Sequence, residues 1–154
     1  MTKDVSVAAA DVHDQSTRSA LLELLQTCGE EEANVTGCID LPPLKTTLAD
    51  ARGYGETFLV GHFAGRLAGM LSYRREGPGL RVCRMAISPR FIRHGIASAL
   101  LDHLMKQEPE VPLIRVNTDA ANRPAIGCYR RLGFHIERRW ATPDGVSMVM
   151  LIKA

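Results

Sequence analysis

The sequence predicts a mixed α/β chain of about seven strands and about four helices, and three stretches carry that expectation. Thr57 to Ala64, Leu67 to Arg74 and Leu80 to Ser88 are β-type runs joined by Gly65-Arg66 and Gly77-Pro78-Gly79, which predicts an antiparallel meander. The third run is followed by a helical face of Ile96, Leu100, Leu101, Leu104 and Met105, and then by a strand from Val111 to Thr118. Strand, helix and strand in that order form a crossover whose two strands lie parallel. The third stretch closes the chain: Phe134 to Ala141 and Ser147 to Lys153 flank Thr142-Pro143-Asp144-Gly145, a strong turn signal for a hairpin.

The remaining elements are read in the same way. Val5 to Ala9 is strand-like, and Leu21, Leu24, Leu25 and Cys28 mark one face of a helix from about Gln15. Glu30 to Pro43 is irregular, and Leu44 to Arg52 reads as a short helix stopped by Gly53. Asn122 is a good N-cap for a helix to about Leu132, because Pro124 falls in the first turn, where a missing N–H costs little. Gly133 ends it.

At 154 residues the chain fits one domain, 1–154, able to bury a core without staples. A net charge of +2 is too small to imply a nucleic-acid or acidic-membrane partner. Neither a signal-type apolar run nor a membrane-spanning one occurs, which places the protein in the cytoplasm. Cys28, Cys38, Cys83 and Cys128 form no C-x-x-C pair and no cluster with His, so they read as reduced thiols rather than a metal site or disulfide framework. Asn34-Val35-Thr36 matches a glycosylation acceptor, which a cytoplasmic chain never uses.

Chemistry concentrates in two places. Met85-Ala86-Ile87-Ser88-Pro89 ends a strand, Arg93 and His94 make a basic loop, and Gly95-Ile96-Ala97-Ser98 opens a helix. The first N–H groups of a helix lack intrahelical acceptors, and the helix dipole adds positive potential there. Small residues leave that backbone open to an anion, and the combination suits a pyrophosphate. The second place is Asn122-Arg123-Pro124-Ala125-Ile126-Gly127-Cys128-Tyr129-Arg130-Arg131-Leu132-Gly133-Phe134.

Together these stretches resemble the GNAT superfamily of N-acetyltransferases. Its phosphate loop reads Pro-x-x-(Gln/Arg)-(Gly/Arg)-x-Gly-x-(Gly/Ala), matched by Pro89, Arg93, Gly95, Ile96, Ala97, Leu100 and Leu101; Ile92 departs from it where the family carries Gln or Arg. The second stretch matches Asn-x-x-Ala-x-x-x-Tyr-x-x-x-Gly-Phe at every defining position. The resemblance implies a bent sheet whose two parallel strands splay, with the backbone of Met85, Ala86 and Ile87 exposed to the pantetheine arm of acetyl-coenzyme A. It implies that Arg93, His94, Gly95, Ile96, Ala97 and Ser98 hold the phosphates, that Asn122 contacts the arm or the acceptor region, and that Tyr129 lies near the coenzyme sulfur. A phenol of pKa about 10 stays protonated at neutral pH and can donate to a departing thiolate, so Tyr129 is the expected general acid. Cys128 lies about 100° around the helix from it and is not expected to be a nucleophile.

The expected partners are acetyl-coenzyme A and an amine acceptor, with no metal and no nucleic acid or membrane; the resemblance leaves room for a homodimer. Many family members place a glutamate on the strand before the phosphate loop as base, whereas Arg81-Val82-Cys83-Arg84-Met85-Ala86-Ile87 has no carboxylate. Glu56, His62, Asp119 and His135 are the remaining candidates. At pH 7 an α-amino group is about 10–15% neutral and a free lysine about 0.04%, so a site with a weak base favours low-pKa amines. Arg74, Arg75, Arg81 and Arg84 on the central strands are either solvated or mark an anionic acceptor. The competing function is an acyl-coenzyme A-binding regulatory module without turnover. A dinucleotide-binding redox domain is disfavoured, because no G-x-G-x-x-G follows a strand.

Overall fold

The computed structural model describes residues 4–12, 14–30, 39–40, 56–91 and 93–154, with 25–30 and 39–40 described by backbone alone. Among the described residues eight strands form one sheet: β1 (Val5–Ala10), β2 (Ile39–Asp40), β3 (Thr57–Phe63), β4 (Arg66–Glu76), β5 (Gly79–Ile87), β6 (Ile114–Asp119), β7 (His135–Ala141) and β8 (Ser147–Lys153). The helices among the described residues are α1 (Gln15–Glu30), α2 (Ile96–Gln107) and α3 (Arg123–Arg131), with a single 3-10 turn at Pro89–Phe91. The helix expected over Leu44 to Arg52 lies outside the described residues, as does Ile92. None of the described helices is long and apolar enough to cross a membrane.

The strand order is β1-β3-β4-β5-β6-β8-β7, with every contact antiparallel except β5 against β6. That parallel pair is the expected crossover through α2. Helices cover both faces. Ile96, Leu100 and Leu104 of α2 and Tyr129 of α3 pack with Leu71, Val82 and Val116 in the larger core. On the opposite face Leu21 and Leu24 of α1 pack with Phe58, Val60, Met70 and Ala86. Asp14 caps α1 by accepting the Thr17 N–H at 2.9 Å, a cap of the preferred side-chain type.

The β3–β4 turn differs from the sequence expectation. Its loop residues are Ala64 and Gly65, closed by the Phe63–Arg66 pair, rather than Gly65 and Arg66. Both have positive φ, 49° and 82°, as a two-residue type I′ loop demands. Arg66 is thereby released to extend β4, and Ala64 carries a left-handed cost of about 1–2 kcal/mol.

Candidate active site

The parallel contact between β5 and β6 is short. Leu80, Arg81 and Val82 pair with Ile114, Arg115 and Val116, and there the pairing stops, although both strands continue. Its cause is visible on the other edge of β5: Ser72 of β4 pairs with Arg84 and Tyr73 with Val82, leaving Cys83 as an extra, bulged residue. A bulge bends its strand and increases its twist. Cys83 to Ile87 therefore diverge from Asn117 to Asp119 and open a wedge, the splay the sequence resemblance implies.

The wedge edge of β5 is not bare. Ile39 and Asp40 of β2 pair antiparallel with Ala86 and Met85, and β2 also lies close to α3. The expected exposure of the Met85–Ile87 backbone is thus corrected at Met85 and Ala86, where β2 holds the edge.

The residues expected to hold phosphate come together at the start of α2. Its first hydrogen bond runs from Ala99 N–H to Gly95 C=O at 3.0 Å, so the N–H groups of Ile96, Ala97 and Ser98 have no intrahelical acceptor. Gly95, with φ 77°, is an N-cap without a side chain, and a Cβ there would meet nothing within 4 Å. Arg93 also sits at positive φ, 69°, a conformation uncommon for a side-chain-bearing residue. Arg93, His94, Gly95 and Ser98 line a cleft of about 540 Å³ together with Val5, Phe63, Ala99 and Asp102. Val5 and Phe63 place this cleft on the β1–β3 side of α2, away from the wedge. The His94 ring packs edge-on against Phe63, 4.7 Å between centroids.

Ile96 has a second task. Its side chain is buried over the Gly61–Gly69 pair; a Cβ on Gly69 would lie 2.9 Å from Ile96 Cγ2 and 2.8 Å from Ile87 Cδ1. Bare glycine backbone lets the first turn of α2 seat against the sheet. With its side chain so placed, Ile96 can meet an anion through its backbone amide alone.

On α3, Asn122 is the N-cap, its Oδ1 accepting the Ala125 N–H at 3.3 Å. Lys153 Nζ donates to the Leu132 carbonyl at 3.0 Å at the other end, where a cation suits the helix dipole. Tyr129 is 1% exposed and meets Phe134 edge-on at 5.5 Å. Its core also contains Met85 and Ile87 of β5 and Val116 of β6, the strands that bound the wedge.

The four candidate bases separate. Glu56 lies beside the wedge strand but is committed: its oxygens accept from Arg84 Nε at 2.9 Å, Arg84 Nη2 at 3.4 Å and Ser72 Oγ at 2.7 Å, and both charged side chains are about 5% exposed or less. Asp119 shapes its own turn by accepting the Ala121 N–H at 2.8 Å. His62 is on β3 and His135 on β7, each a full strand removed from β5 or β6. The sequence reading missed the Glu56–Arg84–Ser72 group, whose only trace is an arginine where a carboxylate was sought. Burial, and then the charge of Glu56, push the Cys83 thiol up to about 11, so it is no nucleophile at neutral pH. Among the described residues no group of three or more His, Cys, Asp and Glu could hold a metal ion.

Comparison with known proteins gives a consistent answer. A curated relative, UPF0157 protein YqkA of Bacillus subtilis (strain 168), is 30% identical over 104 residues, a match spanning 68% of this chain but only 30% of that protein. The ribosomal-protein-S18-alanine N-acetyltransferase of Escherichia coli superposes with TM-score 0.69 at 19% identity, covering 96% of this chain and 92% of that one. The acetyl transferase that modifies the N-terminal serine of ribosomal protein L7/L12 in Salmonella typhimurium gives 0.74 at 16%, covering 99% and 95%. An aminoglycoside 6'-N-acetyltransferase complexed with coenzyme A gives 0.72 at 13%, covering 96% of each chain. At these identities the structural likeness is one of fold. The profile of the Acetyltransferase (GNAT) family matches residues 19–134, and the chain belongs to that family.

Proposed function

We propose that this chain transfers the acetyl group of acetyl-coenzyme A to a primary amine. The observation that carries the reading is a helix start with three amides lacking intrahelical partners, on the crossover that leaves the wedge strand β5. Acetyl-coenzyme A supplies an activated acyl carbon: the amine nitrogen bonds to it, the C–S bond breaks, and the thiolate leaves.

The chain's own contributions follow from position. The amides of Ile96, Ala97 and Ser98, with Arg93 and His94, hold the pyrophosphate. The Met85–Ile87 edge pairs with the pantetheine arm only where β2 gives up its place, because at Met85 and Ala86 the two pairings exclude each other. Asn122 fixes the start of α3 and hence Tyr129, whose hydroxyl protonates the thiolate. Attack is direct, in keeping with the inert Cys83. With Glu56 committed to Arg84, the amine's proton passes to water, which favours amines already partly neutral at pH 7. The reduced thiol of Cys83 supports a cytoplasmic setting.

The committed Glu56 and the occupied wedge edge favour a second reading, an acyl-coenzyme A-binding module without turnover. Thiol release from acetyl-coenzyme A in the presence of a panel of amines decides. Amine-dependent release is expected; coenzyme binding with no release for any amine would leave the second reading standing.

A further inference from the structure

Val82 and Val116 are buried in the core on the α2–α3 side. Arg81 and Arg115, one position earlier and directly paired, therefore project to the opposite face, the one α1 covers at Phe58 and Met70. With coenzyme held from the α2–α3 side, the approach left to an acceptor at the closed end of the wedge is from this α1 face.

The charges there are unequal. Glu76 Oε2 accepts from Arg74 Nη2 and Arg81 Nη1, each at 3.2 Å, and Oε1 from Arg115 Nη1 at 3.4 Å. Three guanidiniums around one carboxylate leave two positive charges. Arg84, next along β5, adds none, because Glu56 matches it; Arg75 pairs elsewhere, with Glu108 at 3.1 Å. Two polar atoms on this face are shut off from solvent and lack a hydrogen-bond partner: Arg115 Nε, a donor, and Asn117 Oδ1, an acceptor. Buried polar groups are nearly always paired, so orphans of opposite kind two residues apart on one strand face are unusual. Asn117 is the first β6 residue beyond the last β5–β6 pair, at the closed end of the wedge.

We propose that the acceptor is an amine bearing a carboxylate, received by Arg115 with Arg81 while Asn117 Oδ1 accepts a hydrogen from the amine. Residues two apart on a strand are roughly 6–7 Å apart, which matches an amino acid or a short acidic peptide terminus with nitrogen and carboxylate a few bonds from each other. A guanidinium suits the carboxylate because its planar fork donates two parallel hydrogen bonds. Burial raises the Glu76 carboxyl, but the hydrogen bonds and charges of Arg81 and Arg74 outweigh it and hold it below its ordinary value. Glu76 therefore stays ionised at neutral pH and keeps the fan of arginines in place.

The inference rests on the acetyltransferase reading, and its test separates the two. Initial rates are measured on the full chain with matched acceptors: free amino acids, their carboxamides, peptides with acidic or neutral second residues, and a polyamine. Carboxylate-bearing acceptors are expected to exceed their carboxamides by roughly 10–100-fold in kcat/KM, mostly through KM. Arg115→Gln and, separately, Arg81→Gln should collapse that ratio toward one, with the acetyl-coenzyme A thermal shift of each variant reporting that it still folds and binds. Free amino acids and acidic peptides are told apart by which member of the panel leads. Equal rates for acid and amide, a preference for the polyamine, or an unchanged ratio in both variants would overturn the proposal while the coenzyme shift persists. Loss of the shift in the unaltered chain would overturn the acetyltransferase reading along with it.

Discussion

Tyr129 is 1% exposed, so its hydroxyl serves either the fold alone or the fold and the chemistry together. The two roles respond differently to the removal of one oxygen. Tyr129→Phe keeps the edge-on contact with Phe134 and most of the buried area. If the hydroxyl protonates the leaving thiolate, turnover falls by roughly 10²–10⁴-fold while coenzyme affinity changes little. If it only packs, the loss is about 1 kcal/mol of stability with an intact rate per folded molecule. Turnover, coenzyme affinity and melting temperature measured on the same variant separate these outcomes. Arg84 makes the complementary point. β5 carries no carboxylate but a buried cation, whose partner Glu56 comes from 28 residues earlier. Removing either partner strands a buried charge, at a cost of about 3–5 kcal/mol, so loss of activity on replacing Glu56 would report folding before chemistry.

Between elements, the seating of α2 on the sheet decides where its amides point. Gly61 and Gly69 face each other on β3 and β4, with Ile96 packed over them. A methyl at Gly69 would come 3.0 Å from the Ala86 carbonyl oxygen as well as under 3 Å from Ile87 and Ile96, so the first turn of α2 would have to lift. Gly69→Ala is expected to cost about 1–3 kcal/mol in stability, in the range of overpacked cores, and to weaken coenzyme binding in parallel. Calorimetry on the variant that binds coenzyme at full strength would show that the helix start is not the cradle. The elements themselves were legible where pattern extends over several residues: α3 from its Asn and Gly boundaries, the closing hairpin from Thr142 to Gly145, and the crossover from the spacing of Ile96, Leu100 and Leu104. The bulge at Cys83 was not, because an extra residue leaves no periodicity of its own and only the register with β4 reveals it. Two-residue β2 has no pattern to read, and its pairing is set by the gap that the bulge opens.

For the whole molecule, the question is how ligand and fold are coupled. The amides of α2, the wedge edge of β5 and the capped start of α3 belong to three elements that meet only in the folded chain, so the unfolded chain offers no comparable site. A ligand of this kind stabilises by mass action, about 2.7 kcal/mol at a hundred times its dissociation constant. For a domain of this length each kcal/mol raises the melting temperature by roughly 2–4 °C, so saturating acetyl-coenzyme A should give a rise of about 5–10 °C. Gly95→Val tests where that coupling originates. A Cβ at Gly95 meets no neighbour, but a β-branched residue at φ 77° is strained and its branch stands over the open amides. The variant should melt somewhat lower on its own and lose the coenzyme-induced rise almost entirely. A rise of undiminished size in Gly95→Val would move the phosphate site away from the start of α2, and no rise in the unaltered protein at millimolar coenzyme would remove the coenzyme from the molecule's function.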